Sequence, residues 1–280
     1  MSGETIRIAG ASGFWGDAAR STPQLLKDED VDFIVYDYLA EITMSIMARA
    51  RAKNPDNGYA LDFVSAVMKP NLKEIARQSV RIVSNAGGVN PRACADALRS
   101  VIADLNLDLK VACVLGDDMI GQRDEIAAQG HKEMFSGDEF PDVSKVASIN
   151  AYLGAFPVAR ALQEGADIVI TGRSVDSAVT LGACIDAFGW GRGDLNQLAM
   201  GSLAGHILEC GPQATGGNFT DWELSNNLEN IGYPVAEIRQ DGSFLCSKPK
   251  GTGGLVSVGT IAEQMVYEIG DPQAYVLPDV

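Results

Sequence analysis

Five times in the first 190 residues, a short apolar run without polar alternation gives way to a turn and then a helix-like stretch. The runs are Thr5–Ala9, Val31–Tyr36, Val80–Ser84, Leu109–Leu115 and Ala166–Ile170. A strand that does not alternate is buried on both faces, and so belongs to a parallel sheet covered by helices. The expected fold is therefore α/β: an open, mostly parallel sheet with helices on both faces, Rossmann-like in kind, over residues 1–194. In such sheets ligands bind outside the carboxyl ends of the strands. Those ends are where this chain keeps its unusual polar residues.

After the first run come Gly10, Gly13 and Gly16. Their spacing is GxxGxxG, not the GxGxxG of a dinucleotide turn, so a tight strand-to-helix turn and a phosphate loop stand level. Asp37 follows the second run, where a ribose-binding carboxylate would sit. Met44, Ile46 and Met47 are expected to be the core face of the helix over 39–53. After the third run, Asn85, Gly87 and Gly88 bring an amide beside exposed backbone N–H groups. The fourth ends in Asp117 and Asp118, which could hold a divalent metal or simply cap the next helix. Residues 119–147 are polar and irregular, with His131 read as solvated, and a helix is expected from Ser148. The fifth ends in Arg173, Ser174 and Asp176.

Past residue 194 the pattern changes. Residues 195–280 read as a smaller α+β portion, either a second domain or an extension of the first. A helix over 195–208 feeds a segment holding His206, Glu209, Cys210, Thr215, Gly216, Gly217 and Asn218. Asp241-Gly242 marks a hairpin tip. Lys250, Gly253 and Gly254 form a basic, glycine-rich loop ahead of a helix, a candidate anion cradle but not a Walker A motif.

Composition excludes several functions. With Lys+Arg 22 against Asp+Glu 37, the net charge of −15 suits neither nucleic acid nor an anionic membrane surface. The 5 cysteines are scattered without a CxxC pair, which reads as free thiols in a reducing compartment. No leader-like segment precedes the first strand, and no apolar run approaches the ~18 residues of a membrane helix. A cytoplasmic location is expected.

Four motifs carry a family resemblance: Ser84–Gly88, Thr171–Asp176, Glu209–Asn218 and Glu268–Pro272. They resemble those of the acyclic terpene utilisation AtuA family over nearly the whole chain. The resemblance implies an enzyme-like α/β protein of a catabolic route for citronellol- or geraniol-type acids carried as CoA thioesters. Members are longer, which sets the expectation of a chain cut short near Val280.

A lyase or hydratase acting on a branched acyl thioester or hydroxy acid needs an acid, a base and a clamp for negative charge. His206 or Glu209 is the expected general base, with Asp176 as partner. Arg173 would bind a carboxylate or phosphate, Ser174, Asn85, Thr215 and Asn218 would be further substrate-binding residues, and the Gly87-Gly88 and Gly216-Gly217 amides would form the clamp. Cys210 is either a nucleophile or a buried thiol. A homo-oligomer or a small partner subunit is also expected. The competing readings are a non-catalytic binding subunit and a nicotinamide-dependent oxidoreductase resting on Gly10–Gly16.

Overall fold

The computed structural model describes residues 5–27 and 30–280. Among the described residues seven strands form one sheet: β1 (Thr5–Gly10), β2 (Phe33–Tyr36), β3 (Arg81–Ser84), β4 (Val111–Val114), β5 (Ile168–Thr171), β6 (Val235–Arg239) and β7 (Phe244–Ser247). Their order is β4-β5-β3-β2-β1-β6-β7. The first five are parallel, and β6 and β7 add antiparallel strands beside β1. Residues beyond 195 therefore share the sheet of the first part. Gly242, at the hairpin tip, takes the positive φ of +89° that such a turn needs.

Successive strand residues feed opposite cores, as pleating requires. Ile34, Tyr36, Ile82 and Ile170 face one core; Phe33, Val35, Val83 and Val169 face the other. On the first face lie α1 (Ala18–Leu25), α2 (Glu41–Lys53), a π-helical turn (Phe63–Met68) running into α3 (Lys69–Gln78), and α4 (Pro91–Asp104). On the second lie α6 (Phe156–Gln163), α7 (Ala178–Phe188) and α8 (Leu195–Glu209), while the short α5 (Arg123–Ala128) sits in the irregular stretch before them. Burying each such aliphatic side chain contributes roughly 1.5–3 kcal/mol.

The strand order explains the division. From β1 to β4 each connection steps the same way across the sheet, and right-handed crossovers put their helices on one face. From β4 to β5 the chain steps back, so its helix falls on the other. The reversal leaves β3 and β5 adjacent with their following helices on opposite sides, which opens a crevice at their carboxyl ends. This order is not the 3-2-1-4-5-6 of the standard dinucleotide fold. The architecture is mixed α/β, without support for the Rossmann-like label or for a chain cut short.

Two local expectations fail. Ile46 is 46% exposed, because it lies off the face shared by buried Met44 and Met47. The helix expected from Ser148 starts at Phe156. Before it, residues 150 and 153 form isolated bridges to Asp118 and Ser174, and Pro157 fixes the first turn.

Candidate functional site

The carboxyl ends of β2, β3 and β5 converge on one buried polar cluster. Asn85, after β3, accepts from the Tyr38 N–H at 2.7 Å and donates its amide to Asp37, after β2. Arg173, after β5, is 4% exposed. It donates to Asp176 at 2.5 Å and to the Leu39 and Ser174 carbonyls at 3.2 and 3.1 Å. Its guanidinium stacks 4.1 Å from the Tyr152 ring. The Arg173 cation is thus spent inside the protein and presents no free fork to a substrate carboxylate or phosphate. It holds Asp176 instead.

The helix α8 supplies the rest. His206 Nδ1 and Glu209 Oε1 lie 2.8 Å apart, one turn from each other on the same face. Gly205 is what lets that face come close: a Cβ there would strike the backbone of Ser177. Burial is the main cause of the shifts here. It pushes Glu209 up to about 7, against the lowering effect of His206, with Asp176 and Glu268 adding repulsion. Burial pulls His206 down, but its bond to Glu209 and that carboxylate's charge outweigh it, and the imidazole ends above its ordinary value. Asp37 is raised by burial and then by the charges of Asp176 and Glu209. Asp176 is raised by burial, with Arg173 opposing.

A cavity of about 370 Å³ opens on this cluster. Its floor is one stripe of α8: Ala199, Ser202, Leu203, His206 and Glu209. Val175, Asp176, Ser177 and Tyr152 form one wall. Met265, at the end of α9 (Val258–Val266), and Ile269, Pro272, Tyr275, Leu277 and Val280 form the other. That last segment is pinned where the Asp279 carboxylate accepts from the Ala155 N–H at 2.6 Å. The lining is largely apolar, with Asp176, His206 and Glu209 gathered in it, and it contains no lysine or arginine. Two polar atoms of its lining residues, His206 Nε2 and Ser202 Oγ, are buried behind the lining without hydrogen-bond partners, and both residues are only 6% exposed.

The other expected site residues lie elsewhere. Gly87 packs on the Thr171 carbonyl and Pro91, and the Gly88 N–H is bonded to the Asn85 carbonyl. The Gly216 and Gly217 N–H groups bond Gln213 and Pro212. None of these four lines the cavity, so the expected amide clamp is not formed by them. Thr215 is buried on the Gly232 carbonyl, and Asn218 is exposed with its amide 3.4 Å from Gln213. The stretch from 211 to 218 therefore closes the chain on itself, with Leu255 N–H bonding the Thr215 carbonyl. Ser174 is fully buried with its hydroxyl unpartnered, outside the cavity lining. Burial pushes the Cys210 thiol up to about 12, the setting of an inert thiol and not of a nucleophile.

The phosphate-loop reading of Gly10, Gly13 and Gly16 fails on sterics and charge. Cβ atoms at Gly10 and Gly13 would collide with the Leu208 and Cys210 carbonyls, so the turn receives the end of α8. Gly16, at φ +122°, meets only Phe14. At the start of α1, where an anion would dock, the buried Asp17 carboxylate already accepts from the Gly13 N–H at 2.9 Å. Gly253 and Gly254 pack on the Asn227 and Thr215 carbonyls, Lys250 is exposed, and α9 is capped by Ser257 instead. Asp117 accepts from the Arg173 N–H and the Asn150 amide, both at 2.8 Å, and Asp118 pairs with Arg51 at 3.3 Å. These acids cap and brace. Among the described residues no group of three or more His, Cys, Asp or Glu side chains is arranged to hold a metal ion.

Reading by motif missed Ser202 and Tyr152, and gave Glu268 a place in a motif without a role. The α8 stripe at 199, 202, 203 and 206 follows helical spacing and was visible in principle. Glu268 sits at φ +58°, a strained setting for a residue with a side chain, and its charge acts on both Asp176 and Glu209.

All four motifs noted in the sequence border this cluster or its cavity wall. A family model described as acyclic terpene utilisation family protein AtuA matches residues 6–280. The chain belongs to that family. No curated protein and no solved structure matches it. Membership in the AtuA family suggests acyclic terpene utilisation and leaves the chemistry to be argued from the cavity. Among the described residues of this AtuA-family chain, no helix is long and apolar enough to cross a membrane.

Proposed function

We propose that the chain is a catabolic enzyme of the lyase or hydratase kind, moving protons on a branched, largely apolar acyl substrate in the cavity floored by α8. One observation carries this reading: the His206–Glu209 pair, 2.8 Å apart, and Asp176 open onto the same apolar cavity. A carboxyl poised at about 7 can take or give a proton near neutral pH, the condition under which general acid–base catalysis works best.

In a dehydration, Glu209 takes the proton from the carbon beside the substrate carbonyl, and His206 holds its carboxylate in place. Asp176, steered by Arg173, protonates the departing hydroxyl, which leaves as water. Hydration runs the same steps in reverse. A CoA thioester fits as the form of the acyl group, with its carrier outside a cavity that offers no cation for phosphates.

The test uses Glu209→Gln and His206→Ala in the full chain, with branched 3-hydroxyacyl thioesters and ultraviolet detection of the conjugated product. Turnover should fall about 10²- to 10⁴-fold with the circular dichroism spectrum retained. Unchanged turnover in Glu209→Gln would remove the proton-transfer reading and favour a binding subunit.

A further inference from the structure

The hairpin β6–β7 ends the sheet on one side, and its hydrogen bonds decide which groups of β7 face outward. The Gly10 N–H bonds the Pro234 carbonyl, so in β6 Ala236 and Ile238 turn to β1, while Val235, Glu237 and Arg239 turn to β7. The Arg239 N–H bonds the Ser243 carbonyl, which sets the same alternation on β7. Leu245 and Ser247 pair back to β6, and Phe244 and Cys246 point their N–H and C=O groups away from the sheet. Among the described residues no hydrogen bond reaches those outward groups. The opposite edge is treated differently. In β4 the Lys110 carbonyl accepts from Ile168 of β5, so the Val111 carbonyl faces outward, and Arg99 donates to it at 2.8 Å. Strand β7 has no such guard. From Phe244 to Ser247 it carries no charge and no proline, and its unbroken register with β6 leaves no bulge. Leu245 stands on it 60% exposed. Charges lie only beyond its ends, with exposed Asp241 before the strand and exposed Lys250 after it.

We infer that β7 pairs with β7 of a second copy of this chain, antiparallel about a two-fold axis at Leu245, so that the two sheets run on as one. Such a pairing closes hydrogen bonds only in registers that set outward residues against outward residues. The axis at Leu245 does so within the strand: Phe244 of each copy meets Cys246 of the other, and every outward donor finds an acceptor. The same axis sets Leu245 against Leu245 as a close, non-hydrogen-bonded pair, which removes the exposed side chain from water. The antiparallel sense also carries Asp241 of each copy towards Lys250 of the other, at both ends of the joint. In a chain of net charge −15, this uncharged strip between opposite charges lets two copies meet without facing like charges. A joint of one short strand is small, so the dimer is reversible and depends on concentration.

Sedimentation equilibrium of the full chain tests this. A dimer should appear as the concentration rises to about 0.1 mM, the weak association that a small interface gives. Cys246→Pro removes an outward N–H and leaves the ladder to β6 intact. Leu245→Lys sets two ammonium groups against each other on the axis. Each should weaken the dimer about tenfold or more while the circular dichroism spectrum stays unchanged. In a Cys246→Ser background, Leu245→Cys should give a disulfide-linked dimer on treatment with oxidised glutathione, because the facing residues of such a pair stand about 4.5 Å apart at Cα, within disulfide reach. A native chain that stays monomeric overturns the inference and leaves the edge to solvent or to a strand of another protein. A dimer that neither substitution weakens, or that Leu245→Cys does not cross-link, forms through another surface and overturns it equally.

Discussion

The buried Glu209 carboxyl makes stability depend on pH in a way that one substitution tests. Glu209 has an ordinary value of 4.5 and is raised to about 7 by burial, with His206 opposing. A carboxyl raised in the folded state binds its proton more tightly there than in the unfolded chain. Its contribution is fully present below pH 4.5 and is lost as pH rises through 7. The displacement amounts to about 3 kcal/mol. Glutamine keeps the shape and an oxygen for the His206 N–H but cannot ionise. Urea unfolding of the native protein and of Glu209→Gln, at intervals from pH 4.5 to 8.5, gives two stability curves. The native curve also carries Asp17, raised to about 6 by burial, and Asp37. Asp17 is common to both proteins and cancels in the difference, whereas Asp37 and His206, both held up in part by the Glu209 charge, relax in Glu209→Gln and contribute smaller terms to it. Glu209→Gln should gain on the native protein from pH 5 upward, by about 3 kcal/mol at pH 8, with m-values unchanged. Parallel curves would mean that Glu209 ionises as in water, and the case for a carboxyl poised near neutrality would fail.

Two further substitutions probe the scaffold. Arg173→Met should cost about 3–5 kcal/mol, because it strands Asp176 and removes the stacked guanidinium from Tyr152; Arg173→Lys should recover only part of that in thermal or urea unfolding, since an ammonium cannot span Asp176 and two carbonyls. Gly13→Ala should lose about 2–3 kcal/mol in the same measurement, because its methyl would meet the Cys210 carbonyl with backbone on both sides. A Gly13→Ala protein as stable as the native one would mean that the glycine turn is not filled by the end of α8.

The parallel sheet was legible because its strands are apolar on both faces, a pattern that few other settings produce. The strand order was not, since nothing in a run such as Val111–Val114 says that β5 will insert between it and β3. At the site, Asp176, His206 and Glu209 could be picked from their chemistry, and the cavity brings them together. The glycines misled. Gly10, Gly13, Gly87 and Gly217 each admit a close neighbour, and the sequence alone cannot say whether that neighbour is a ligand or the chain's own backbone. In all four the neighbour is the chain. Arg173 misled for a related reason: a guanidinium on a strand end reads as an anion clamp until its partners are known.

The reversal in strand order and the charge of the cavity are connected. Because β3 and β5 are adjacent with helices leaving to opposite faces, the loops after them are left uncovered by their own helices. Asn85 and Arg173 fill that gap from the two sides, and each is committed to a carboxylate, Asp37 and Asp176. The helix α8 then closes over the second face and delivers Glu209 to the same place. Had the arginine faced outward, the cleft would have suited anions, as many strand-end sites do. Turned inward, it orients one acid and leaves the cavity lining without a guanidinium. The fold thus fixes the location of the site, while the direction of a single buried arginine sets its polarity.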